Sequence, residues 1–434
     1  MLDIKFIKDN VEVIKEAVRK KHVKLDVDEL MKVEGERLKL LGEVEGMRSK
    51  QNKAGEVMAS AASHEDKVKA LTGLKELKEK LQKAEGELVE TMKRWQTLML
   101  QVPNVPDMTV PEGESEADNQ EVKTFGEKPK FSFAPKDHIE LMTALEMVDF
   151  ERGAKVHGFR GYFLTGTGVE LSFAIWNYAL KFFQAKGFTP VIPPTVVRKS
   201  NLYGTGHLPG DVEDYYLTQD GDALIGTAEI PLMAYHSEEV LDRGNFPIKY
   251  LGFSPCFRRE AGSHGKDVKG LIRVHEFYKL EQVILCEADH QTSVKLHEEI
   301  NRNTEEFIES LGLPYRTVIN CGADLGLGQV KKYDIELWVP NENKYREIGS
   351  ASYFHDFQTR RFNIRYRDAD GKLRYAHSLN STAIPTPRIL VSLVENYQQA
   401  DGGVKVPPVL APYFGQAMIT RAHGPHSSRI TPAQ

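Results

Sequence analysis

The 434-residue sequence holds three cysteines, Cys256, Cys286 and Cys321, and no two of them stand in a CxxC spacing. A disulfide framework and a paired-cysteine zinc site are therefore excluded, and a reducing, cytoplasmic setting is expected. The fourteen histidines form no HExxH pattern, so no protein-held structural metal is read. No apolar run approaches the length of a membrane span, and the N-terminal MLDIKFIKDN lacks the apolar stretch of a secretion signal. No membrane association is expected. An excess of positive charge is missing too. With a formal net charge of −5, any nucleic-acid surface must be a local patch. No internal repeat is evident.

What is present is an ordinary globular composition, 27% charged and 41% hydrophobic, with length for two or three domains. Leu30, Val33, Leu40, Val44, Met47, Ala54 and Met58 recur at alternating steps of three and four, with Arg37 and Gln51 in two polar turns of the seam. Ala70, Leu74, Leu77, Leu81, Ala84, Leu88, Trp95 and Leu98 do the same, with Thr91 between. Two heptad seams joined by the polar turn ASAASHED, with Ser63 as N-cap, predict an antiparallel coiled-coil hairpin. At about 1.5 Å per residue, each arm would project on the order of 45 Å. Off the seam lie many cations, among them Arg37, Lys39, Arg48, Lys50, Lys53, Lys67, Lys69, Lys75, Lys78, Lys80, Lys83 and Lys93. Interspersed glutamates allow a merely solvated face. A protruding hairpin with a lysine-rich tip, however, suits an RNA backbone. The proline-rich, acidic stretch 103–135 reads as a linker between a helical arm, 1–102, and a second domain, 136–420; 421–434 reads as a loose tail. In the second domain, LIRVHEFYKLEQVIL and KYDIELWVP read as strands joined by hairpin loops. The expected fold class is α+β: the helical hairpin, then a mainly antiparallel sheet flanked by helices.

The stretch FRREAGSHGKDVKGLIRVHEFYKLE, from Phe257, reads as a strand, a Gly-rich charged loop and a second strand. At period two, Arg273, His275, Phe277, Lys279 and Glu281 share one face, and Ile272, Val274, Tyr278 and Leu280 share the other. Arg258, Arg273, Glu260, Glu281 and Phe277 would then converge on a cleft. The set offers cations for phosphate, a ring for stacking and an acceptor for an exocyclic amine. A salt-bridged sheet face is the plainer alternative.

This stretch resembles the second signature motif of the class II aminoacyl-tRNA synthetases. The resemblance extends over nearly the whole chain, toward the bacterial-type seryl-tRNA synthetases. It implies that Arg258 holds the ATP α-phosphate and the substrate carboxylate, that Glu260 takes the adenine amine, and that Phe277 stacks on the base, with Arg273 also at the nucleotide. Glu170 to Pro194, a helix ending at Gly187 and then a strand, resembles the first motif, which builds a dimer interface; an ordinary helix–strand pair would look the same. SLNSTAIPTPRILVSLVENYQ resembles the third motif. In it Thr386 reads as N-cap and Pro387 as first helical residue. Arg388 stands in the first turn, where the helix dipole disfavours a cation unless a triphosphate or a nearby carboxylate answers it.

Thr227, Ala228 and Glu229 resemble the TAE serine-binding element, and Thr382 matches a position that contacts the substrate hydroxyl. Glu229 and Glu281 would take the serine ammonium and hydroxyl, in an order left open. Glu347 and Ser350, in YREIGSAS, match the segment that holds ATP and its Mg2+; DFQTRRFNIRYR is also close to the family. Gly349 and Ala351 depart from the Ser and Cys that many relatives carry, with altered metal or ATP affinity the expected consequence. The implied activity is serine activation by ATP and transfer to tRNA, on a homodimer whose coiled coil grips the tRNA variable arm and presents it to the other subunit. A carrier-protein ligase would not need the basic hairpin. An inactive RNA-binding scaffold would have lost cleft arginines or acids, all of which are present.

Overall fold

The structure, a computed structural model, describes residues 1–60, 64–210, 212–262, 265 and 267–421, without the side chains of 54–60 and 64–70. The expected Ser63 cap, the seam positions Ala54, Met58 and Ala70, the tip cations Lys67 and Lys69 and the tail beyond 421 lie outside that set. The chain divides into two units, Met1–Val105 and Pro106–Gln434. Among the described residues no helix is long and apolar enough to cross a membrane.

In the first unit, helices α1 (Ile4–Asp9) and α2 (Val11–Lys20) precede the long α3 (Val27–Ser60) and α4 (His64–Gln101). The two short helices were not separated in the sequence reading. Asp26 caps α3, its Oδ1 accepting from the Glu29 amide at 3.0 Å. The long pair is antiparallel: Arg94 bonds Glu29 at 2.8 Å, and farther along Arg48 bonds Glu85 at 2.8 Å. The seam is the one the heptads predict, with Leu30, Val33, Val44, Leu81 and Ala84 buried. Arg37 belongs to the seam and not to the open basic face. It pairs with buried Glu34 at 2.8 Å and lies 4.9 Å from the Trp95 ring centroid. Ile7, Ile14, Val27, Leu30, Met99 and Val102 close the base of the hairpin.

The second unit is built on one eight-stranded sheet. Its strands are β1 (Gln120–Phe125), β2 (Thr189–Val191), β3 (Ile248–Phe257), β4 (Glu276–Cys286), β5 (Tyr315–Ile319), β6 (Lys331–Val339), β7 (Lys344–His355) and β8 (His377–Thr386), in spatial order β1-β5-β6-β7-β8-β4-β3-β2. All neighbours are antiparallel except β2 and β3. One correction concerns the segment read as a linker. From Pro106 it belongs to this unit; its β1 extends the sheet edge, and Asp107 accepts from the Tyr353 hydroxyl at 2.8 Å.

Helix α5 (Gly166–Ala185) begins four residues before the expected Glu170 and ends as expected at Gly187, whose φ of +87° suits glycine. Helix α6 (His290–Ser310) is capped by Asp289, which accepts from the Thr292 amide at 2.8 Å, and α7 (Arg388–Asn396) follows β8. Leu171, Ile175 and Phe183 of α5, Ile300 and Phe307 of α6 and Leu390 and Leu393 of α7 share one core with Leu280 and Ile284 of β4. On the opposite face, Val283 and Leu285 of β4 pack with Ala228, Leu232, Ile364 and Tyr366. Gly252 lies opposite Glu281 in register, and a Cβ there would lie 2.7 Å from Leu232 Cδ1. Its missing side chain lets the short helix Glu229–Ala234 close down on the sheet beside Glu281.

Candidate active site

Where that cover stops, the sheet face becomes polar and lines a cavity. Thr227, Glu229, Arg258, Glu260, Phe277, Glu281, Glu347, Ser350, Thr382 and Arg388 all line it, so ten of the eleven expected site residues meet in one place.

The exception is Arg273. The second strand starts at Glu276, not near Ile272, so the period-two pattern does not run through Arg273. Ile272 and Val274, expected on the opposite face, line the cavity instead. Arg273 supports the wall from behind: it bonds Glu260 at 2.8 Å and Asp267 at 3.1 Å, and Asp267 also pairs with Arg346. Ser263, His264 and Lys266 of this loop lie outside the described residues. Tyr278, expected to face the core, is partly exposed and stacks on Phe253 at 5.9 Å.

Two of the lining carboxylates are buried. Glu229 and Glu281 are 8% and 3% exposed. Gln358 Nε2 donates to Glu229 Oε1 at 2.6 Å, and His207 Nε2 lies 3.9 Å from Glu229 Oε2. Lys279, itself buried, pairs with Glu281 and donates to Thr227 Oγ1 at 3.0 Å. Burial pushes both carboxyls above the usual range; Gln358 opposes the shift at Glu229, Lys279 opposes it at Glu281, and the charge of Glu229 adds to the rise at Glu281. A pocket with two crowded acids and one lysine is poised for a further cation. Thr382 stands opposite Glu281 in register, and its Oγ1 makes no hydrogen bond to a described residue.

Two arginines line the same cavity. Arg258 sits 5.4 Å from the Phe277 ring centroid and is anchored by Nε donating to the Gly226 carbonyl at 3.4 Å. Its terminal nitrogens bond no described protein acceptor. Arg388 does not pair with a carboxylate as one alternative had it: Nε donates to the Ile272 carbonyl at 3.0 Å and Nη1 to the Glu347 carbonyl at 2.8 Å. Burial lowers the affinity of its guanidinium for a proton; Glu347 opposes this, and Arg258 and Arg273 add to it. A polyanion would relieve that crowding. The cap of α7 is also corrected. Pro387 is the cap residue, while Thr386 ends β8 and donates from Oγ1 to the Tyr278 carbonyl at 3.5 Å.

Several residues in the lining, or bonded to it from behind, were missed. Lys279 was legible as a member of the period-two face, and Asn380 as the neighbour two before Thr382 in LNST. Gln358 had a signal in DFQ, whereas nothing local pointed to His207 or Asp267.

Comparison with known proteins places this geometry. Residues 215–397 match the tRNA synthetase class II core domain (G, H, P, S and T), and residues 1–106 match the seryl-tRNA synthetase N-terminal domain. The serine–tRNA ligase of Deinococcus radiodurans is 45% identical over 416 residues, 96% of this chain and 98% of its own. That of Thermodesulfovibrio yellowstonii is 42% identical over 425 residues, 96% of this chain and 100% of its own. Among solved structures, the seryl-tRNA synthetase from Pyrococcus horikoshii complexed with ATP has a TM-score of 0.89 at 38% identity, over 97% of this chain and 100% of that one. The cytoplasmic serine–tRNA ligase from Naegleria fowleri in complex with AMP scores 0.82 at 33% identity, over 95% and 96%. Sequence match along both units and structural match along nearly the whole length place the chain in the seryl-tRNA synthetase family.

Proposed function

We propose that the chain activates L-serine with ATP to seryl-adenylate and pyrophosphate and then transfers the seryl group to the 3′ end of a serine tRNA. One observation carries the reading: paired buried carboxylates and two arginines, Arg258 and Arg388, line one cavity. Glu229 and Glu281 together hold the ammonium and hydroxyl of serine, with Thr227 and Thr382 completing the polar wall. Alanine is rejected because it would leave these buried groups unpaired. Phe277 and Arg388 sandwich the base, and Glu260, steadied by Arg273, accepts from its amine. Arg258 lies where the serine carboxylate meets the α-phosphate. In-line attack there forms the acyl–phosphate bond and breaks the bond to pyrophosphate, and negative charge grows on the α-phosphate oxygens. A fixed guanidinium stabilises that charge more than it stabilises the ground state. No protein nucleophile is required.

Glu347 and Ser350 fit a magnesium ion, since one carboxylate and one hydroxyl beside substrate phosphates is a donor set such an ion takes. It would supply charge neutralisation along the phosphates.

The α3–α4 hairpin is proposed as the tRNA grip. Lys75, Lys78 and Lys80 are exposed and pair with no described carboxylate, leaving a short basic stretch of α4 around the seam. A homodimer is proposed through the apolar surface around α5, where Val156, Phe163 and Phe173 are 73%, 43% and 57% exposed. The three cysteines are free and buried, as suits a cytoplasmic enzyme. The test is amino-acid-dependent ATP–pyrophosphate exchange, followed by charging of total tRNA with each of the twenty amino acids. Serine alone should support both; exchange with no amino acid refutes the reading.

A further inference from the structure

Gly349 is buried on the wall of the cavity, and its backbone does not require glycine, because its φ lies outside the left-handed region. Space requires it. A Cβ at this position would lie 2.5 Å from Thr382 Cβ, 2.8 Å from Cγ2 and 3.3 Å from Oγ1. The first of these is the decisive contact. A crowded side-chain tip can rotate away, but a Cβ is fixed to its backbone, so relief would have to come from moving a strand.

The neighbourhood resists that movement. The carbonyl of Thr382 accepts from Thr304 Oγ1 at 3.0 Å, and Thr304 is gripped in turn by Gln282 Nε2 at 3.0 Å, so α6 holds the residue from the far side of the sheet. Ladder irregularities bracket the contact. The β6–β7 register shifts between Ile335 and Glu336, opposite Gly349, and the β8–β4 register shifts between Thr382 and Ile384. Such bulges re-aim side chains beside functional sites. Threonine is stiff about χ1. With its Cβ and methyl seated over Gly349, its hydroxyl is left on the cavity wall, opposite Glu281 in register.

We infer that Gly349 is a specificity-determining position: the absent side chain sets how closely Thr382 approaches and so aims Thr382 Oγ1 at the hydroxyl of the amino acid. This differs from the sequence expectation, which tied Gly349 to metal or ATP affinity. The other departure, Ala351, lies in the core, its carbonyl accepting from His297 Nε2 at 2.9 Å.

The inference rests on serine being the substrate, and one exchange assay separates the two. Wild-type protein that fails to exchange with serine refutes the substrate reading; wild-type exchange that Gly349→Ala matches refutes only the inference. In Gly349→Ala, the serine KM should rise about 10-fold, the serine-over-alanine ratio of kcat/KM should fall about 10-fold, and the ATP KM should stay within about 2-fold. Thr382→Ala should lower the same ratio. The double variant should then lie within about 2-fold of Thr382→Ala, because no hydroxyl remains to be misplaced. An unchanged ratio in Gly349→Ala, or effects that multiply in the double variant, overturns the inference. Should Gly349→Ala fail to fold, Thr382→Ser decides. Freed of its methyl, the hydroxyl should lose its fixed rotamer and the ratio should fall about 3-fold; an unchanged ratio refutes the role.

Discussion

Replacing Lys279 by methionine would remove the cation that two buried acids share while roughly keeping its volume. Lys279 is 5% exposed, Glu281 3% and Glu229 8%, so little solvent reaches the group to replace the lost charge. Breaking a buried pair by removing one partner costs about 3 kcal/mol or more, because the other charge is left uncompensated. In a unit of this size that is a fall in Tm of about 5 °C near pH 7.5. The sign of the pH dependence separates this cause from a packing fault. Both carboxyls already sit above their ordinary range, chiefly through burial, and Lys279 is the cation that opposes it at Glu281. Losing Lys279 therefore raises them further. A carboxyl raised in the folded state binds more protons folded than unfolded, so its contribution is favourable at low pH and is lost as pH rises through the folded value. The deficit of Lys279→Met should be largest near pH 8 and should narrow as pH falls toward 5.5. Thermal unfolding of both proteins across that range measures it. No deficit, or one equally large at pH 5.5 and pH 8, would refute the shared-cation account; the latter would point to a misfitted methionine.

Arg258→Ala should reduce pyrophosphate exchange by about 10²- to 10³-fold in kcat, as expected for loss of a preorganised charge at the reacting phosphate; wild-type exchange would remove Arg258 from that role. The triple variant Lys75→Gln, Lys78→Gln, Lys80→Gln should exchange normally yet raise the tRNA KM about 10-fold at moderate salt, with a shallower salt dependence of binding. An unchanged KM and slope would exclude this basic stretch as the RNA contact. Phe173→Glu places a charge in the exposed apolar surface and should convert the proposed dimer to monomer in sedimentation equilibrium; a dimer that persists would move the interface elsewhere, and a monomeric wild type would refute the dimer.

Sequence legibility followed regular structure. The hairpin seam was readable because a heptad repeats the same physical demand for many turns, and even its polar interruption had a structural answer in Arg37 over Trp95. Glu281 and Phe277 were readable because β4 is regular from Glu276 onward. Arg273 was misplaced because the path of 271–275 is set by distant partners: Leu271 donates its amide to His138 Nε2 at 3.2 Å, and the Ile272 carbonyl is taken by Arg388. No local periodicity encodes those bonds. The edge strand β1 was hidden for a related reason. Almost every residue in it is exposed, so it has no buried face to impose alternation, and its acidic, proline-bounded surroundings read as linker. Gly349 could be noticed but not interpreted, since its meaning is a distance to a side chain on a neighbouring strand.

β4 explains why stability and chemistry can be separated in this sheet. Its residues alternate between two environments. Leu280, Gln282 and Ile284 point into the helix-covered side, where the first and last join the main core and Gln282 ties β4 to α6 through Thr304 and Asn303. Lys279, Glu281, Val283 and Leu285 point to the other side, and only the last two meet the cover that begins at the short helix Glu229–Ala234. The polar pair occupies the stretch where that cover has receded. Three buried charges, those of Glu229, Glu281 and Lys279, are tolerated there because the strand beneath is pinned from behind by apolar packing and by the glutamine network, so the site can hold crowded acids without the sheet parting. Substitutions at Leu280 or Ile284 should accordingly act on folding and leave amino-acid preference intact, whereas those at Lys279, Glu281 and their register neighbour Thr382 should alter preference well before the protein unfolds.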